Sequence, residues 1–222
     1  MSAAIWLWGK PFMNSRPSHR YTGNRPDLRD WMKRFPEGYL EIGCGSGGML
    51  AMLKQQGCVK GRCVGVETDP DAAREAGQVF DVVYNESVEK VLTKLPMVGC
   101  LVLADVLEHM EDPWGVLGKL AAKLTPDGVV YASVPNVAYY EVSWPLFWKG
   151  EFSYADTGIL DRTHLRFFGK AGICSLFVQA GLRIERIEGA MGKKTRLFNR
   201  ITLGRFEHLL VGQYFIEAVR VK

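Results

Sequence analysis

A short apolar run followed by a glycine-rich turn is the feature of this sequence that most restricts its fold. The segment YLEI (residues 39–42) predicts a strand, and it leads directly into GCGSGG (residues 43–48). The next residues, 49–56, predict a helix that stops at Gly57. In open α/β sheets this order of strand, glycine turn and helix forms a nucleotide site. Glycines let the backbone approach the ligand, and the helix N-terminus offers free N–H groups.

The glycine turn has a matching acidic residue further along the chain. Glu67 ends the next predicted strand, residues 62–67, and follows Gly43 by 24 residues. A carboxylate at this position accepts hydrogen bonds from ribose hydroxyls. With Glu67, GCGSGG satisfies the dinucleotide fingerprint G-x-G-x-x-G. With Glu41 in front, it equally satisfies E-x-G-x-G-x-G, the signature of S-adenosylmethionine-binding methyltransferases. A tight turn that binds nothing is the third interpretation.

The rest of the chain alternates predicted strands and helices. The pair Asp112-Pro113 starts one helix, and Gly181 closes another. This alternation predicts a single α/β domain with a Rossmann-like, doubly wound, mostly parallel seven-stranded sheet. The last strand is expected to be antiparallel, because a long loop without a clear helix precedes it. The other predicted strands are 80–84, 99–104, 129–134, 182–188 and 214–221, and the other predicted helices are 27–34, 71–77, 113–124 and 170–180.

Composition excludes several classes of protein. The 222 residues suit one sizeable domain, and a net charge of +4 without a long basic run gives little support for nucleic-acid binding. The five cysteines are odd in number and form no C-x-x-C pair, which indicates reduced thiols and a cytoplasmic location. The longest uncharged run, residues 128–140, has 13 residues and includes a proline, so no membrane span is expected.

Residues 1–37 are predicted to be an N-terminal arm with one helix. The apolar start, IWLW at residues 5–8, suits packing on a second subunit or on the protein's own site, so a monomer or a homodimer is expected. A loose basic cluster in this arm is interpreted as solvated, with contact to a phosphate as the alternative. The cluster consists of Arg16, His19, Arg20 and Arg25.

Later motifs separate the two nucleotide-binding interpretations. A short-chain dehydrogenase needs Tyr-x-x-x-Lys for proton transfer, and none of the eight tyrosines has a lysine four residues on. The run ADVLEHMEDP (104–113) resembles the block after the fourth strand of class I methyltransferases. LTPDG (124–128) resembles the turn before their fifth strand, and VPN (134–136) continues the likeness. Over roughly residues 38–188 the chain therefore resembles this family. It is most similar to the ubiquinone-biosynthesis type and to bacterial enzymes of sugar and cell-envelope biosynthesis, in which a DRTHLRFF-like stretch recurs.

The resemblance implies that residues 38–222 form a methyltransferase domain, and it assigns contacts with S-adenosylmethionine position by position. Carried over in this way, the candidate cofactor residues surround the methionine and ribose, the adenine and the sulfonium in turn. They are Glu41, Gly43, Cys44, Gly45 and Gly47 for the methionine and ribose, Glu67 for the ribose hydroxyls, Thr68, Ser87 and Val88 for the adenine, and Ala104, Asp105 and Leu107 near the sulfonium.

A long aromatic insertion, residues 137–168, separates the fifth strand from the next helix. It leaves the sheet at the edge where ligands of open α/β folds bind, so it is predicted to be a substrate lid. A satellite core under a long loop is the alternative. Tyr139 and Tyr140 are candidate substrate contacts.

The insertion ends in DRTHLRFF (residues 161–168), which gathers charged, aromatic and imidazole groups in an irregular segment. Arg162 and Arg166 suit an anionic substrate such as a phosphate or a carboxylate, held by forked hydrogen bonds. Alternatively, these arginines brace the loop through salt bridges with Asp156 and Asp161.

Methyl transfer to a hydroxyl requires removal of its proton, and a histidine is suited to that task. His164 is the favoured general base and His109 the second candidate, because the fold would bring both to the methyl end of the cofactor. A purely structural role is the alternative for each. Asp105, Glu108 and His109 would converge on a helical turn, as in some related oxygen methyltransferases that bind a divalent cation. Mg²⁺ or Mn²⁺ is therefore a further candidate ligand, and bracing of the lid by Glu108 and His109 is the favoured alternative.

These observations predict an enzyme that transfers a methyl group from S-adenosylmethionine to an oxygen of a small-molecule or glycan acceptor. Two other functions stay open at this point. One is a nicotinamide-dependent oxidoreductase or epimerase on the same type of sheet. The other is a non-catalytic partner subunit that keeps the fold.

Overall fold

The computed structural model describes residues 25–221, apart from the side chains at positions 193 and 194. Arg16, His19, Arg20 and the IWLW segment therefore lie outside the described residues. The fold is built on a seven-stranded sheet with the order β3-β2-β1-β4-β5-β7-β6. The strands are β1 Tyr39–Ile42, β2 Cys63–Val66, β3 Val82–Tyr84, β4 Val98–Ala104, β5 Leu124–Pro135, β6 Leu182–Ala190 and β7 Gln213–Arg220.

The direction of the strands agrees with the prediction. The pairs formed among β1 to β5 are all parallel, whereas β7 runs antiparallel to both of its neighbours, β5 and β6. The predicted Rossmann-like sheet with an antiparallel last strand is thus confirmed. Helices connect the strands, and they are α1 Pro26–Trp31, α2 Gly48–Gln55, α3 Pro70–Ala76, α4 Val88–Val91, α5 Pro113–Ala121, α6 Tyr140–Lys149, α7 Lys170–Gln179, α8 Lys193–Ile201 and α9 Glu207–Leu210, with a 3-10 turn at Leu107–His109.

Each face of the sheet carries its own hydrophobic core. Alternate residues of a strand point to opposite faces, and on β4 Leu101 and Leu103 join one core while Cys100 and Val102 join the other. The first core includes buried side chains of α4, α5 and α7, and the second includes those of α1, α2 and α3. Because β4 is buried on both faces, its apolar run is unbroken, as expected for a central parallel strand.

Two segments that were predicted to be irregular contain helices. The insertion forms α6, which buries only Val142, and the loop between the last two strands forms α8 and α9, in which no residue with a described side chain is buried. Helix α6 contains Pro145, a residue type that argues against a helix interior. The apolar stripe of α8 is short, with Leu197, Phe198 and Ile201 among polar and basic residues.

Smaller differences occur at the ends of elements. Helix α1 ends at Trp31, three residues before its predicted end. The predicted turn at residues 125–128 lies within β5 as an irregularity, since Val98 pairs with Leu124 while Cys100 pairs with Val129. In the part of the chain that the structure describes, no helix is both long and apolar enough to cross a membrane.

Candidate active site

The carboxyl ends of β1, β2 and β4 open into a cavity of about 810 Å³. Clefts at this edge of an open α/β sheet are where ligands bind. The lining includes seven of the residues predicted to contact a cofactor, and it also includes His109. Those seven are Gly43, Glu67, Thr68, Ser87, Val88, Ala104 and Asp105.

The glycine turn needs its glycines for conformational reasons. Gly43, Gly45 and Gly47 have φ angles of +69°, +53° and +84°, in the left-handed region that favours glycine. At Gly43 a Cβ would also overlap Cγ1 of Val106, which follows β4. The turn between β1 and α2 is therefore packed directly against the segment after β4, and only glycine fits there.

Glu67 joins the glycine turn to the segment after β2. Its carboxylate accepts a hydrogen bond from the Gly45 N–H at 2.8 Å and another from the Asp69 N–H at 2.9 Å. The Thr68 hydroxyl donates a longer bond of 3.4 Å to the same carboxylate. A carboxylate offers about four acceptor sites, so Glu67 is held in place and can still accept from a ligand hydroxyl at the cavity surface.

Five of the predicted cofactor residues do not line this cavity. Glu41 is only 1% exposed and accepts a 2.8 Å hydrogen bond from the Tyr39 hydroxyl. Burial, reinforced by the charge of Glu67, raises the pKa of Glu41 to about 8, so this carboxyl is protonated at neutral pH. Of the others, Cys44 and Leu107 are buried in the core. The N–H of Gly45 donates to Glu67, and Gly47 is the N-cap of α2.

Asp105 is the centre of a polar network that the sequence did not reveal. It has a positive φ of 54°, and its carboxylate accepts a hydrogen bond from the Ser133 hydroxyl at 2.8 Å and another from the Gln213 side-chain amide. The guanidinium of Arg25 pairs with the same carboxylate and donates to Gln213 Oε1 at 2.8 Å. The prediction that Arg25 belongs to a solvated arm is therefore wrong, because its charge is held against the carboxyl edge of the sheet.

His109 and His164 lie together at one end of the cavity, with ring centroids 4.7 Å apart. The Nδ1 atom of His109 is 3.1 Å from the carbonyl of Thr163, and that of His164 is 2.9 Å from the carbonyl of Ile159. A carbonyl only accepts, so each Nδ1 carries the proton and each Nε2 keeps a lone pair in the neutral ring. Burial and the neighbouring His164 lower the pKa of His109, which favours this neutral form.

Glu108 stands beside the two histidines. It is 1% exposed, and among the described residues neither of its carboxyl oxygens has a hydrogen-bond partner. Burial raises its pKa to about 8. One possible ligand atom from each of Glu108, His109 and His164 lies within 4.8 Å of the others, so this group could hold a metal ion. This group differs in one member from the predicted set, because Asp105 pairs with Arg25 and His164 lies beside Glu108 and His109 instead.

The DRTHLRFF segment is fastened to the 3-10 turn that carries these groups. The N–H groups of Leu165 and Arg166 both donate to the Glu108 carbonyl, at 2.8 and 3.0 Å, and the Arg166 guanidinium donates to the Glu111 carbonyl. Arg162 is exposed and pairs with Asp156 at 3.1 Å. These contacts agree with the bracing alternative for Arg162, whereas Arg166 contacts a backbone carbonyl rather than Asp161. The role of both arginines in substrate binding stays a prediction.

The two candidate substrate tyrosines lie where the insertion leaves β5. Tyr139 is half-buried and Tyr140 is exposed, with ring centroids 4.6 Å apart. The ring of Tyr139 approaches Gly212, just before β7. Several other aromatic residues of the insertion contact one another, as Phe167 does with Phe152 and Tyr154, whereas Phe168 is buried in the main core. These aromatic residues therefore form a satellite cluster within the insertion that was predicted to be a lid.

The sheet has a glycine turn, a carboxylate placed to bind a ribose and a cleft at its carboxyl edge. This combination is typical of enzyme folds that bind a nucleotide cofactor. A family model described as a methyltransferase domain matches residues 15–187. A curated ubiquinone biosynthesis O-methyltransferase from Yersinia enterocolitica is 33% identical over 131 residues, which are 54% of this chain and 52% of that protein. The chain thus spans about half the length of the curated relative it matches.

Solved structures of similar fold come from the same class. An S-adenosylmethionine-dependent methyltransferase from Archaeoglobus fulgidus superposes with a TM-score of 0.66 at 19% identity, covering 87% of this chain and 91% of that one. A methyltransferase from Haloferax volcanii, in complex with its Trm112 activator, has a TM-score of 0.60 at 18% identity and covers 91% and 90% of the two chains.

The chain belongs to the methyltransferase-domain family, and the Archaeoglobus structure of the same fold is described as dependent on S-adenosylmethionine. The cavity and the left-handed glycines suit this cofactor, as does Glu67 with its remaining acceptor capacity. The nicotinamide-dependent alternative is accordingly set aside.

Proposed function

We propose that this enzyme methylates an oxygen of a small-molecule or glycan acceptor. The observation that carries the proposal is the His109–His164 pair, in which both Nδ1 atoms face carbonyls and both Nε2 atoms are left to accept a proton. A hydroxyl must lose its proton to become a methylated ether, and an imidazole that is neutral at physiological pH is suited to take it. The name of the Yersinia relative, an O-methyltransferase, supports the same choice of atom.

His109 is the better placed base of the two. It lines the cavity, whereas His164 lies 8% exposed behind it. The sequence favoured His164, but the ring that borders the ligand space is that of His109. We assign His164 a positioning role: its ring packs on that of His109, and its nearness lowers the pKa of His109. This ordering keeps both predicted histidines in the mechanism.

The bound cofactor supplies a methyl carbon attached to a positively charged sulfur. With the cofactor held by Glu67 and the glycine turn, the acceptor oxygen would bond to that carbon, and the electron pair of the broken carbon–sulfur bond would stay on the sulfur. The hydroxyl proton passes to Nε2 of His109 and later leaves to water. Because positive charge on sulfur is neutralised in this step, the site serves mainly to align the reacting atoms and to exclude water.

The predicted cofactor contacts fit this placement. We propose that Glu67 receives the ribose hydroxyls and that Thr68, Ser87 and Val88 flank the adenine, because these four residues line the cavity beyond β2 and β3. Ala104 and Asp105 line it beyond β4, and we propose that they border the sulfonium. Glu41 and Cys44 do not line the cavity, and we propose that they hold the glycine turn in place.

We also propose that the insertion, residues 137–168, closes over the acceptor. Its anchoring to the Glu108 carbonyl places Thr163 against His109, so a movement of this segment would move the base. Tyr139 and Tyr140 at its start are proposed to contact the acceptor. Arg162 and Arg166 keep a bracing role in this proposal.

The test is a methyl-transfer assay that measures S-adenosylhomocysteine by mass spectrometry. The probes are a catechol, a free monosaccharide and an aromatic amine, each presented with S-adenosylmethionine. We expect methylation of a hydroxyl probe, and we expect His109→Gln to lower kcat on the order of 100-fold or more without changing the affinity for the cofactor. The matched control is His208→Gln, because His208 is exposed and its side chain is outside the cavity.

Two results would contradict the proposal. The first is a His109→Gln enzyme that keeps the full rate on the hydroxyl probe. The second is methylation of the amine with no activity on either hydroxyl probe. A pH profile adds a separate reading: with a neutral His109 as base, kcat should fall as the pH drops below 6.5, the ordinary value for this ring, because its folded pKa is lowered.

A further inference from the structure

Helix α8 has an apolar face that is largely exposed and whose ring contact is that of Phe198 with Phe206, just beyond the helix. Its hydrophobic residues follow helical spacing, and no residue of α8 with a described side chain is buried. Ile201 is 71% exposed, and Leu203, just after the helix, is 93% exposed. An amphipathic helix of a globular protein normally turns this face to the core. The exposed apolar residues of this segment are Leu197, Phe198, Ile201, Leu203 and Phe206.

A second exposed apolar surface belongs to α6, which is connected to α8 through α9. Helix α9 contacts both α8 and α6, and α6 exposes several large side chains. Phe147 is 77% exposed and Trp148 is 63% exposed. Tryptophan rings of this kind are amphipathic and are enriched where an apolar medium meets water. The exposed residues of α6 are Tyr140, Trp144, Leu146, Phe147 and Trp148; together with the α8 segment they are called the apolar platform.

Positive charge borders the apolar platform. Between Glu188 and Glu207 the sequence has five basic residues and no acidic residue. Arg196, Arg200 and Arg205 are exposed, and none of the salt bridges formed among the described residues includes them. Of the acidic groups at its margin, Glu207 pairs with Lys170 and Glu151 with Lys149, whereas Glu141 on α6 accepts a hydrogen bond from the Tyr140 hydroxyl.

We propose that the apolar platform docks the protein on the surface of an anionic lipid bilayer. A helix with a basic polar face and Leu, Ile and Phe on the other face lies in the headgroup region, with its apolar side buried and its cations near lipid phosphates. Arginine side chains reach the interface while their stems cover apolar surface. The described helices do not cross the bilayer, so the association is peripheral.

The charge distribution favours a bilayer over a second copy of the chain. In a two-fold dimer the same patch meets itself, so the basic groups of two platforms would face one another without counter-charges. An anionic membrane supplies those counter-charges along with the apolar layer. Leu203 and Phe147 expose large apolar side chains that an apolar partner would bury. A phosphate-rich nucleic-acid surface is not such a partner.

The test is co-flotation of the purified full-length protein with unilamellar vesicles. One set is pure phosphatidylcholine, and the other contains 30 mol% (roughly one third) phosphatidylglycerol as the anionic lipid. We expect flotation with the anionic vesicles only, weakening as salt is raised. Changing Arg196, Arg200 and Arg205 together to Gln should weaken the partition on the order of 100-fold, because each cation near the surface contributes roughly fivefold.

Two further variants separate charge from burial. Phe147→Ser with Trp148→Ser should reduce flotation by about tenfold or more at unchanged charge. The control for the arginine variant changes Lys60, Lys90 and Lys119 to Gln, which removes the same charge from exposed positions on other elements, and it should float like the wild type. Cofactor binding reports that each variant is folded, because none of these residues lines the cavity.

The proposal is overturned if the wild type does not float with anionic vesicles, if it floats equally with both sets, or if the lysine control loses as much as the arginine variant. Light scattering tests the alternative that a second copy of the chain covers the apolar platform. A dimer that dissociates on Phe147→Ser with Trp148→Ser, without any flotation, would show that the apolar platform pairs with a second copy instead.

Discussion

Substituting Gly43 by alanine tests whether the glycine turn is locked against the segment after β4. The new Cβ would meet Cγ1 of Val106 far inside a normal contact distance, and the residue has a φ of +69°. A left-handed alanine costs about 1–2 kcal/mol, and overpacking costs about 1–3 kcal/mol more. We therefore expect Gly43→Ala to lower the free energy of unfolding by about 2–5 kcal/mol and to weaken cofactor binding, because the turn must shift.

Gly57 supplies the matched control for this prediction. Its φ is +68°, almost the same, but nothing lies within 4 Å of a Cβ at this position. Gly57→Ala should thus show the conformational cost alone, about 1–2 kcal/mol. Urea denaturation of both variants gives the difference, which isolates the overlap with Val106.

A double mutant completes the cycle. Val106→Ala removes the Cγ1 atom, and the remaining Cβ is 3.7 Å from the new methyl group, an ordinary contact. Gly43→Ala combined with Val106→Ala should therefore recover about 1–3 kcal/mol relative to the sum of the single changes. A Gly43→Ala protein as stable as Gly57→Ala, or no coupling with Val106→Ala, would refute the packing argument.

Three further outcomes are expected. Because burial raises the folded pKa of Glu41 from 4.5 to about 8, its contribution to stability is present below pH 4.5 and is lost as the pH rises through 8. Between pH 5 and 9 this group should lower the free energy of unfolding of the wild type by about 4 kcal/mol, and Glu41→Gln should remove that decrease. If the unfolding free energy of the variant depends on pH as that of the wild type does, Glu41 is not buried as a neutral acid. Arg25→Met leaves Asp105 without its cation, so melting should show a loss of about 1–3 kcal/mol, whereas an unchanged melting curve would mean that the N-terminal segment does not dock there. Finally, if His109 is the base, the rate of methyl transfer should be unchanged in EDTA. A rate that EDTA abolishes and that one divalent cation restores would show that His109 is a metal ligand instead.

The elements that the sequence predicted correctly are those with strong local signals. The strand and glycine turn at residues 39–48 depend on neighbouring residues alone, as do the cap at Asp112 and the stop at Gly181. The helices of the insertion and of the β6–β7 connection were missed for the opposite reason. Helix α6 carries Pro145 in its interior, and the apolar stripe of α8 is limited to Leu197, Phe198 and Ile201, so the local signal for each helix is weak.

The candidate site shows the same division. The order of the motifs predicted the residues around the cavity, because parallel strands bring their carboxyl ends to one edge. The partners of Asp105 could not be predicted, since Arg25 lies 80 residues earlier in the chain and Gln213 lies 108 residues later. Contacts of such separation depend on how the N-terminal segment and β7 are placed on the sheet, and no local signal records that placement.

The central claim is that the cavity at the end of β1 and β2 binds S-adenosylmethionine through Glu67. Isothermal titration of the cofactor into the wild type, into Glu67→Ala and into Glu188→Ala tests it directly, because Glu188 is exposed on β6 and outside the cavity. We predict micromolar binding to the wild type and to Glu188→Ala, with on the order of 10- to 100-fold weaker binding to Glu67→Ala, because charged hydrogen bonds to the ribose are lost. Equal affinity in all three proteins would contradict the claim.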